Sequence, residues 1–244
     1  MSGALDVEGL TAGYGSTVVL DGLSFSVPAG GSLAVLGRNG VGKTTLLKSL
    51  VGFTTLHKGG VRLDGRAIDR IAPYRRNRLG LGYVPQEREI FVSLTVEENL
   101  LISRRVGGWS IDDVYALFAS LKERRRNSGG KLSGGEQQML AIGRALVGAP
   151  KILLFDEPME GLAPVIVESL YAALRAIRDA GRSTIVLVEQ KAELALQLTE
   201  RAIVLDRGRI VHEGPSAELL ADTATQARLL AVGETAATRE GVQP

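Results

Sequence analysis

Cysteine is absent from the 244-residue sequence. Disulfides, thiol nucleophiles and thiolate metal sites are therefore excluded, and a reducing compartment is permitted without being required. Histidine is nearly as scarce: His57 and His212 are the two in the chain, too few for a multi-histidine metal site. No excess of one charge sign exists. The net charge is +2 and the isoelectric point about 9.0, too weak a bias to argue for a nucleic-acid partner. No apolar run approaches the about 20 residues that span a bilayer. The start, Met1 to Asp6, lacks the basic and apolar regions of a signal peptide. The expectation is a soluble, cytoplasmic protein. Repeats and low-complexity blocks are missing too. A hydrophobic content of 45% is normal for a globular chain, and this length can bury one large α/β core or two small ones.

What is present centres on Gly37, Arg38, Asn39, Gly40, Val41, Gly42, Lys43, Thr44 and Thr45. The stretch fits the phosphate-binding pattern G-x-x-x-x-G-K-[ST]. Glycines let the backbone curl so that several N–H groups point at one anion. A helix starting near Lys43 adds the positive end of its dipole. Lys43 supplies an ammonium for the β- and γ-phosphates, and the Thr44 hydroxyl can ligate Mg²⁺. Leu33 to Leu36 suits a buried strand before the loop, and Leu46, Leu47 and Leu50 give helical spacing after it. A glycine-rich turn that binds nothing could share the pattern; the flanking strand and helix argue against it.

Residues 5–27 read as a β region, with Leu23, Phe25 and Val27 alternating with Ser24 and Ser26. Tyr14 lies in a glycine-flanked loop. It could stack on a base, although spacing alone favours an ordinary turn tyrosine. Short strands and turns occupy 59–84, and Pro85-Gln86 opens a polar stretch. Thr95 and Glu98 form a capping box, so a helix starts at Val96. Residues 96–127 read as mainly helical, broken near Gly107-Gly108. Ser133 and Glu136 form a second capping box around Gly134-Gly135, with Met139, Ile142 and Leu146 continuing one face. Glycines in a helix cost roughly 1 kcal/mol each relative to alanine. Close approach of an anion would justify them; an ordinary loop-to-helix junction is the alternative. Ile152 to Phe155 is a continuous apolar strand ending in Asp156 and Glu157. Acids at the carboxyl end of such a strand sit where open α/β sheets bind ligands. Asp156 is placed to support Mg²⁺, and Glu157 to polarise a water. A helix over 164–180, a strand over 184–188 ending at Glu189-Gln190, a helix over 191–199, strands 202–205 and 209–212, and a last helix from Pro215-Ser216 to about Leu230 complete the expectation.

Tyr14, the phosphate loop, Gln86, Leu132 to Gln137 and Ile152 to Glu157 stand in an order that resembles the ATP-binding cassette (ABC) family over roughly residues 5–230. The L-S-G-G-E-Q run at 132–137 is the most specific part. The resemblance implies an α/β P-loop NTPase with a RecA-like parallel core sheet. An N-terminal antiparallel β subdomain and an inserted α-helical subdomain at about 87–148 would complete a domain over 1–234, and 235–244 would be a flexible tail. It implies that Tyr14 stacks on adenine and that Gly37 to Thr45 hold ATP. Thr44, Gln86 and Asp156 would serve Mg²⁺, Glu157 would be general base, and Gln86 would also link to the transport partner. Ser133, Gly134, Gly135, Glu136 and Gln137 would face ATP bound to a second ATP-binding subunit. Partners would also include membrane-spanning permease subunits and, indirectly, a solute-binding protein, with this chain peripheral on the cytoplasmic face of the membrane.

Two positions depart from the family pattern. Gln190, a candidate catalytic residue beside Glu157, stands where a histidine is usual; glutamine can hydrogen-bond a γ-phosphate but cannot carry a proton at neutral pH. Ala163 stands where an aspartate is common. Val188-Glu189-Gln190, Glu160 to Pro164 and Phe91 to Leu100 resemble the ATP-binding subunit of branched-chain amino acid importers. Tyr83 to Gln86 and Gly37 to Val41 look closer to urea and short-amide importers, which leaves the cargo open. A soluble, non-transport ABC ATPase is disfavoured by the absence of a second cassette, a long coiled-coil insertion or a basic stripe. An inactive regulator is disfavoured by Lys43 and Glu157.

Overall fold

Strand β1 (Leu5–Tyr14) reverses through a two-residue turn into β2 (Thr17–Val27), and β3 (Ser32–Leu36) leads into helix α1 (Lys43–Val51). The chain then forms β4 (Thr55–Leu63), β5 (Arg66–Ala67), α2 (Pro73–Arg78) and β6 (Leu81–Val84). A helical stretch follows: α3 (Val96–Leu101), α4 (Ile111–Leu117), α5 (Ala119–Glu123), a short 3₁₀ turn and α6 (Gly134–Val147). The sheet resumes with β7 (Ile152–Asp156), α7 (Pro164–Asp179), β8 (Thr184–Val188), α8 (Ala192–Leu198), β9 (Arg201–Asp206) and β10 (Arg209–Pro215), then α9 (Ser216–Ala221) and α10 (Thr223–Leu230). This computed structural model describes residues 4–230. The tail expected at 235–244 lies outside the described residues.

Two sheets result. One is antiparallel, in the order β2-β1-β4-β5; the other runs β10-β9-β3-β8-β7-β6. In the second, β9, β3, β8, β7 and β6 are parallel and β10 is antiparallel to β9. Every residue of β3, β7 and β8 is buried, which is why these segments read as unbroken apolar runs. Alternation divides them between two cores. Leu33, Val35, Leu154 and Val186 pack with α1 and the antiparallel sheet. Ala34, Leu36, Leu153, Phe155 and Leu187 pack with α6, α7 and α8. Each large aliphatic side chain so buried contributes roughly 1.5–3 kcal/mol. The loops after β3, β6, β7 and β8 leave at one edge, the carboxyl ends of the parallel strands, where such sheets bind ligands.

Several elements differ from the sequence expectation. Helix α2 was hidden because its residues, Pro73 to Arg78, show no apolar period. Pro73 starts it, and Arg76 holds it down by donating to the carbonyls of Ser49, Leu50, Asp69 and Ile71. The segment 96–127 breaks at Phe118 as well as near Gly107, because the Phe118 side chain is buried in the core. The expected last helix divides at Asp222, whose carboxylate accepts from the Thr225 N–H at 2.9 Å and restarts the chain as α10. In α7 the buried stripe is Val167, Leu170, Ala173, Leu174 and Ile177.

Candidate functional site

The loop between β3 and α1 curls around its own lysine. Gly37 adopts φ 142°, and a Cβ there would lie 2.4 Å from the Leu205 carbonyl oxygen, so only glycine fits. Gly42, in a left-handed conformation, precedes α1. Lys43 is 5% exposed and its ammonium donates to the carbonyls of Gly37 (2.9 Å) and Arg38 (3.1 Å). A carboxylate oxygen of Glu157 stands 3.3 Å away. A buried cation at the amino end of a nine-residue helix is suited to multiply charged anions. Asn39, Gly40, Gly42, Lys43, Thr44 and Thr45 line a cavity of about 310 Å³, together with Val19, Gln86, Glu157, Glu160 and Gln190. Of the remaining loop residues, Arg38 offers its carbonyl to Lys43. Val41 accepts the Gly208 N–H and ties the loop to the turn before β10.

Asp156 closes β7 and is 1% exposed. It accepts the Thr44 hydroxyl at 3.0 Å and the Tyr83 hydroxyl at 3.0 Å. Burial pushes its carboxyl above the usual range, against the lowering effect of those two hydroxyls. The Tyr83 phenol is pushed up, first by burial and then by the charge of Asp156. Thr44 and Asp156 are thus an adjacent pair of oxygen donors beside a cationic loop, the hard-ligand chemistry Mg²⁺ takes when phosphates supply further oxygens.

Glu157, 7% exposed, has φ 48°. This conformation costs a non-glycine residue on the order of 1 kcal/mol or more. It is held from both sides: the Glu157 N–H donates to the Val188 carbonyl at 2.9 Å, and its carbonyl accepts the Glu160 N–H at 3.1 Å. The Gln190 amide donates to the Glu157 carboxylate at 2.8 Å and lies 3.4 Å from that of Glu160. The Gln86 amide donates to the other Glu160 oxygen. A hydrogen bond with Glu157, then burial, hold the Glu160 carboxyl above its ordinary range. Behind these residues Glu189 is 2% exposed and accepts the N–H groups of Met159 and Gln190, both at 3.1 Å. Burial lifts its carboxyl to about 7.

The structure therefore brings together the phosphate loop, Gln86, Asp156, Glu157 and Gln190. It adds Val19, Tyr83 and Glu160, to which sequence reasoning gave no part in the site. Glu160 carried one usable signal, its place three residues after Glu157 on a turn. Two predicted groups lie elsewhere. Tyr14, 47% exposed, sits at the tip of the β1–β2 hairpin and does not line the cavity. Ser133 to Gln137 open α6 in the helical region and do not line it either. Ser133 caps α6 as expected, with Glu136 returning a hydrogen bond to its N–H at 2.8 Å. The Gly135 Cα faces Ile166 of α7, where a Cβ would meet a methyl group at 2.6 Å. Gly135 thus has a packing reason within one chain, in addition to any ligand.

Comparison with known proteins gives the family and the fold. The family model described as ABC transporter matches residues 20–160. The high-affinity branched-chain amino acid transport ATP-binding protein BraG of Pseudomonas aeruginosa is 40% identical over 225 residues, 88% of this chain and 94% of that protein. The probable branched-chain amino acid transport ATP-binding protein LivF of Archaeoglobus fulgidus is 38% identical over 216 residues, 86% of this chain and 92% of its own. The crystal structure of a nucleotide-free ATP-binding cassette from an ABC transporter superposes with a TM-score of 0.80 at 25% identity, covering 95% of this chain and 99% of that one. A lysine-centred phosphate loop and two acids at the end of the neighbouring strand, within a chain so matched, make this protein a member of the ABC transporter family and one of its ATP-hydrolysing subunits.

Proposed function

We propose that this chain hydrolyses ATP at the cavity between α1 and the ends of β6, β7 and β8, in a head-to-tail pair of subunits, to drive import of branched-chain or other hydrophobic amino acids. The observation that carries the chemistry is the contact of Lys43 with Glu157 beside that of Thr44 with Asp156. It sets a phosphate-binding cation and a candidate base against one cavity wall. Lys43 and the N–H groups of residues 39–45 bind the β- and γ-phosphates. Thr44 and Asp156, with Gln86 nearby, would hold Mg²⁺, which when bound offsets charge on the phosphate oxygens. Glu157 takes the proton of the attacking water, and Gln190 orients the Glu157 carboxylate through its amide. Tyr14 offers a face for adenine, on the hairpin that supplies Val19 to the cavity. Ser133 to Gln137 serve the nucleotide of the partner subunit.

Membrane-spanning partners are proposed to be separate chains on whose cytoplasmic face this subunit sits; among the described residues no helix is long and apolar enough to cross a membrane. The segment after β6 supports a route between them and the site. Gln86 lines the ATP cavity, whereas Glu89 and Phe91, a few residues on, line a separate groove of about 720 Å³ with Arg105 and Arg144. The cargo reading rests on the relatives named above. Lys43→Ala tests the site: ATP turnover is expected to fall at least a hundredfold, with MgATP binding weakened in a fluorescent-nucleotide titration. Turnover at the unmutated rate would remove the phosphate loop from the mechanism.

A further inference from the structure

Three loops meet at the cavity, following the adjacent strands β6, β7 and β8. Glu160 lies on the middle one. One of its carboxylate oxygens takes the Gln86 amide of the first loop, and the other faces the Gln190 amide of the third at 3.4 Å. That same Gln190 nitrogen donates to Glu157 at 2.8 Å. The turn closed by the Glu160 N–H on the Glu157 carbonyl sets both carboxylates on one side. A carboxyl oxygen that carries no proton accepts hydrogen bonds and donates none. Where such an oxygen of Glu160 meets a glutamine it faces the NH₂ end, which is the end it meets at both Gln86 and Gln190.

We infer that Glu160 is a positioning residue for ATP hydrolysis, orienting the amides of Gln86 and Gln190 so that both oxygen ends are left for the nucleotide side of the cavity. An amide oxygen at Gln86 is the end a hard cation accepts. An amide oxygen at Gln190 accepts an O–H from water while its nitrogen steadies Glu157. A glutamine has no ring to fix its direction and no proton to lose, so at position 190 its usefulness depends on an outside group that selects the amide face. Glu160 shares that task with Glu157, whose carboxylate takes the same nitrogen at 2.8 Å, and it alone extends the selection to Gln86.

This inference rests on the proposed ATPase reading, and the experiment separates the two. Steady-state ATPase would be measured for Glu160→Ala, Glu160→Gln, Gln190→Ala and the double variant Glu160→Ala/Gln190→Ala, with Lys43→Ala as control. ATP affinity would be measured by fluorescent-nucleotide displacement with and without Mg²⁺. Glu160→Ala is expected to lower kcat roughly tenfold and to reduce the affinity gained on adding Mg²⁺ several-fold, with KM for MgATP rising by about the same factor and metal-free ATP affinity unchanged. Glu160→Gln keeps one accepting oxygen and is expected to fall between. In the Gln190→Ala background the Glu160→Ala effect is expected to shrink to less than half, as coupled neighbours do. A Glu160→Ala variant with unmutated kcat and Mg²⁺ gain, or a full effect in the Gln190→Ala background, overturns the inference. If that happens while Lys43→Ala is inactive, the ATPase reading stands and only the role of Glu160 falls. Glu160 is exposed, and melting curves of each variant separate loss of fold from loss of orientation.

Discussion

Glu189 binds two loops with one buried carboxylate. It takes the Met159 N–H from the loop after β7 and the Gln190 N–H from its own loop. Burial, opposed by these donors, raises its carboxyl from an ordinary value of 4.5 to about 7. Between those two values the folded chain binds more protons than the unfolded chain. Its contribution to stability is therefore complete below about pH 4.5 and is lost as pH rises through about 7, a span worth about 3 kcal/mol. Glu189→Gln removes the titration. The difference in unfolding free energy between the unmutated protein and this variant is expected to fall by about 2–3 kcal/mol from pH 5 to pH 8 in urea titrations. A difference that stays level with pH would return Glu189 to an ordinary ionised state. Nothing in Val188-Glu189-Gln190 as a string foretells this, since depth below the surface is set by β3 and β7 on either side of β8.

Helix α6 shows how an element can be legible in outline and not in purpose. Its start was readable from Ser133 and Glu136, because a capping box is a local pattern of backbone donors and short polar side chains. The glycine pair suits either the approach of an anion or an ordinary loop-to-helix junction, and Gly135 in fact meets Ile166 of α7. That contact joins α6 to the helix that follows the loop of Glu157 and Glu160. Gly135→Ala is expected to destabilise the fold by about 1–3 kcal/mol through overpacking, and Gly135→Ala/Ile166→Ala to recover at least half of it in chemical denaturation. If the single variant is as stable as the unmutated protein, the contact has slack and the glycine serves a ligand alone. Helix α2 and the break at Asp222 escaped reading for a related reason. α2 is held by Arg76 bonding carbonyls from distant segments, and the Asp222 cap was masked by a helix-compatible pattern on both sides.

At the scale of the molecule, the phosphate loop and Ser133 to Gln137 occur in one chain, and the latter do not line the cavity of the former. The proposed pairing of two chains would give each cavity its second wall. Glu157→Gln is expected to retain ATP and to elute as a dimer in size-exclusion chromatography. Adding Ser133→Arg to the same chain is expected to return it to a monomer. A Glu157→Gln chain that stays monomeric with saturating MgATP sinks the two-chain site.

Some features needed only the string of residues. The apolar runs of β3, β7 and β8, the lysine of the phosphate loop, the paired acids after β7 and the capping boxes are all local patterns, because strand burial, loop curvature and helix starts are decided within a few bonds. The order of these motifs was enough to suggest the family. Other features were decided by tertiary structure, where residues far apart in sequence compete for the same few ångströms. The strand order β8-β7-β6 brings Gln86, Glu160 and Gln190 together. The left-handed backbone of Glu157 turns its carboxylate to Lys43. Gln190 looked in sequence like a missing histidine; in the fold it is one arm of a hydrogen-bonded set whose centre, Glu160, becomes visible only once three loops converge.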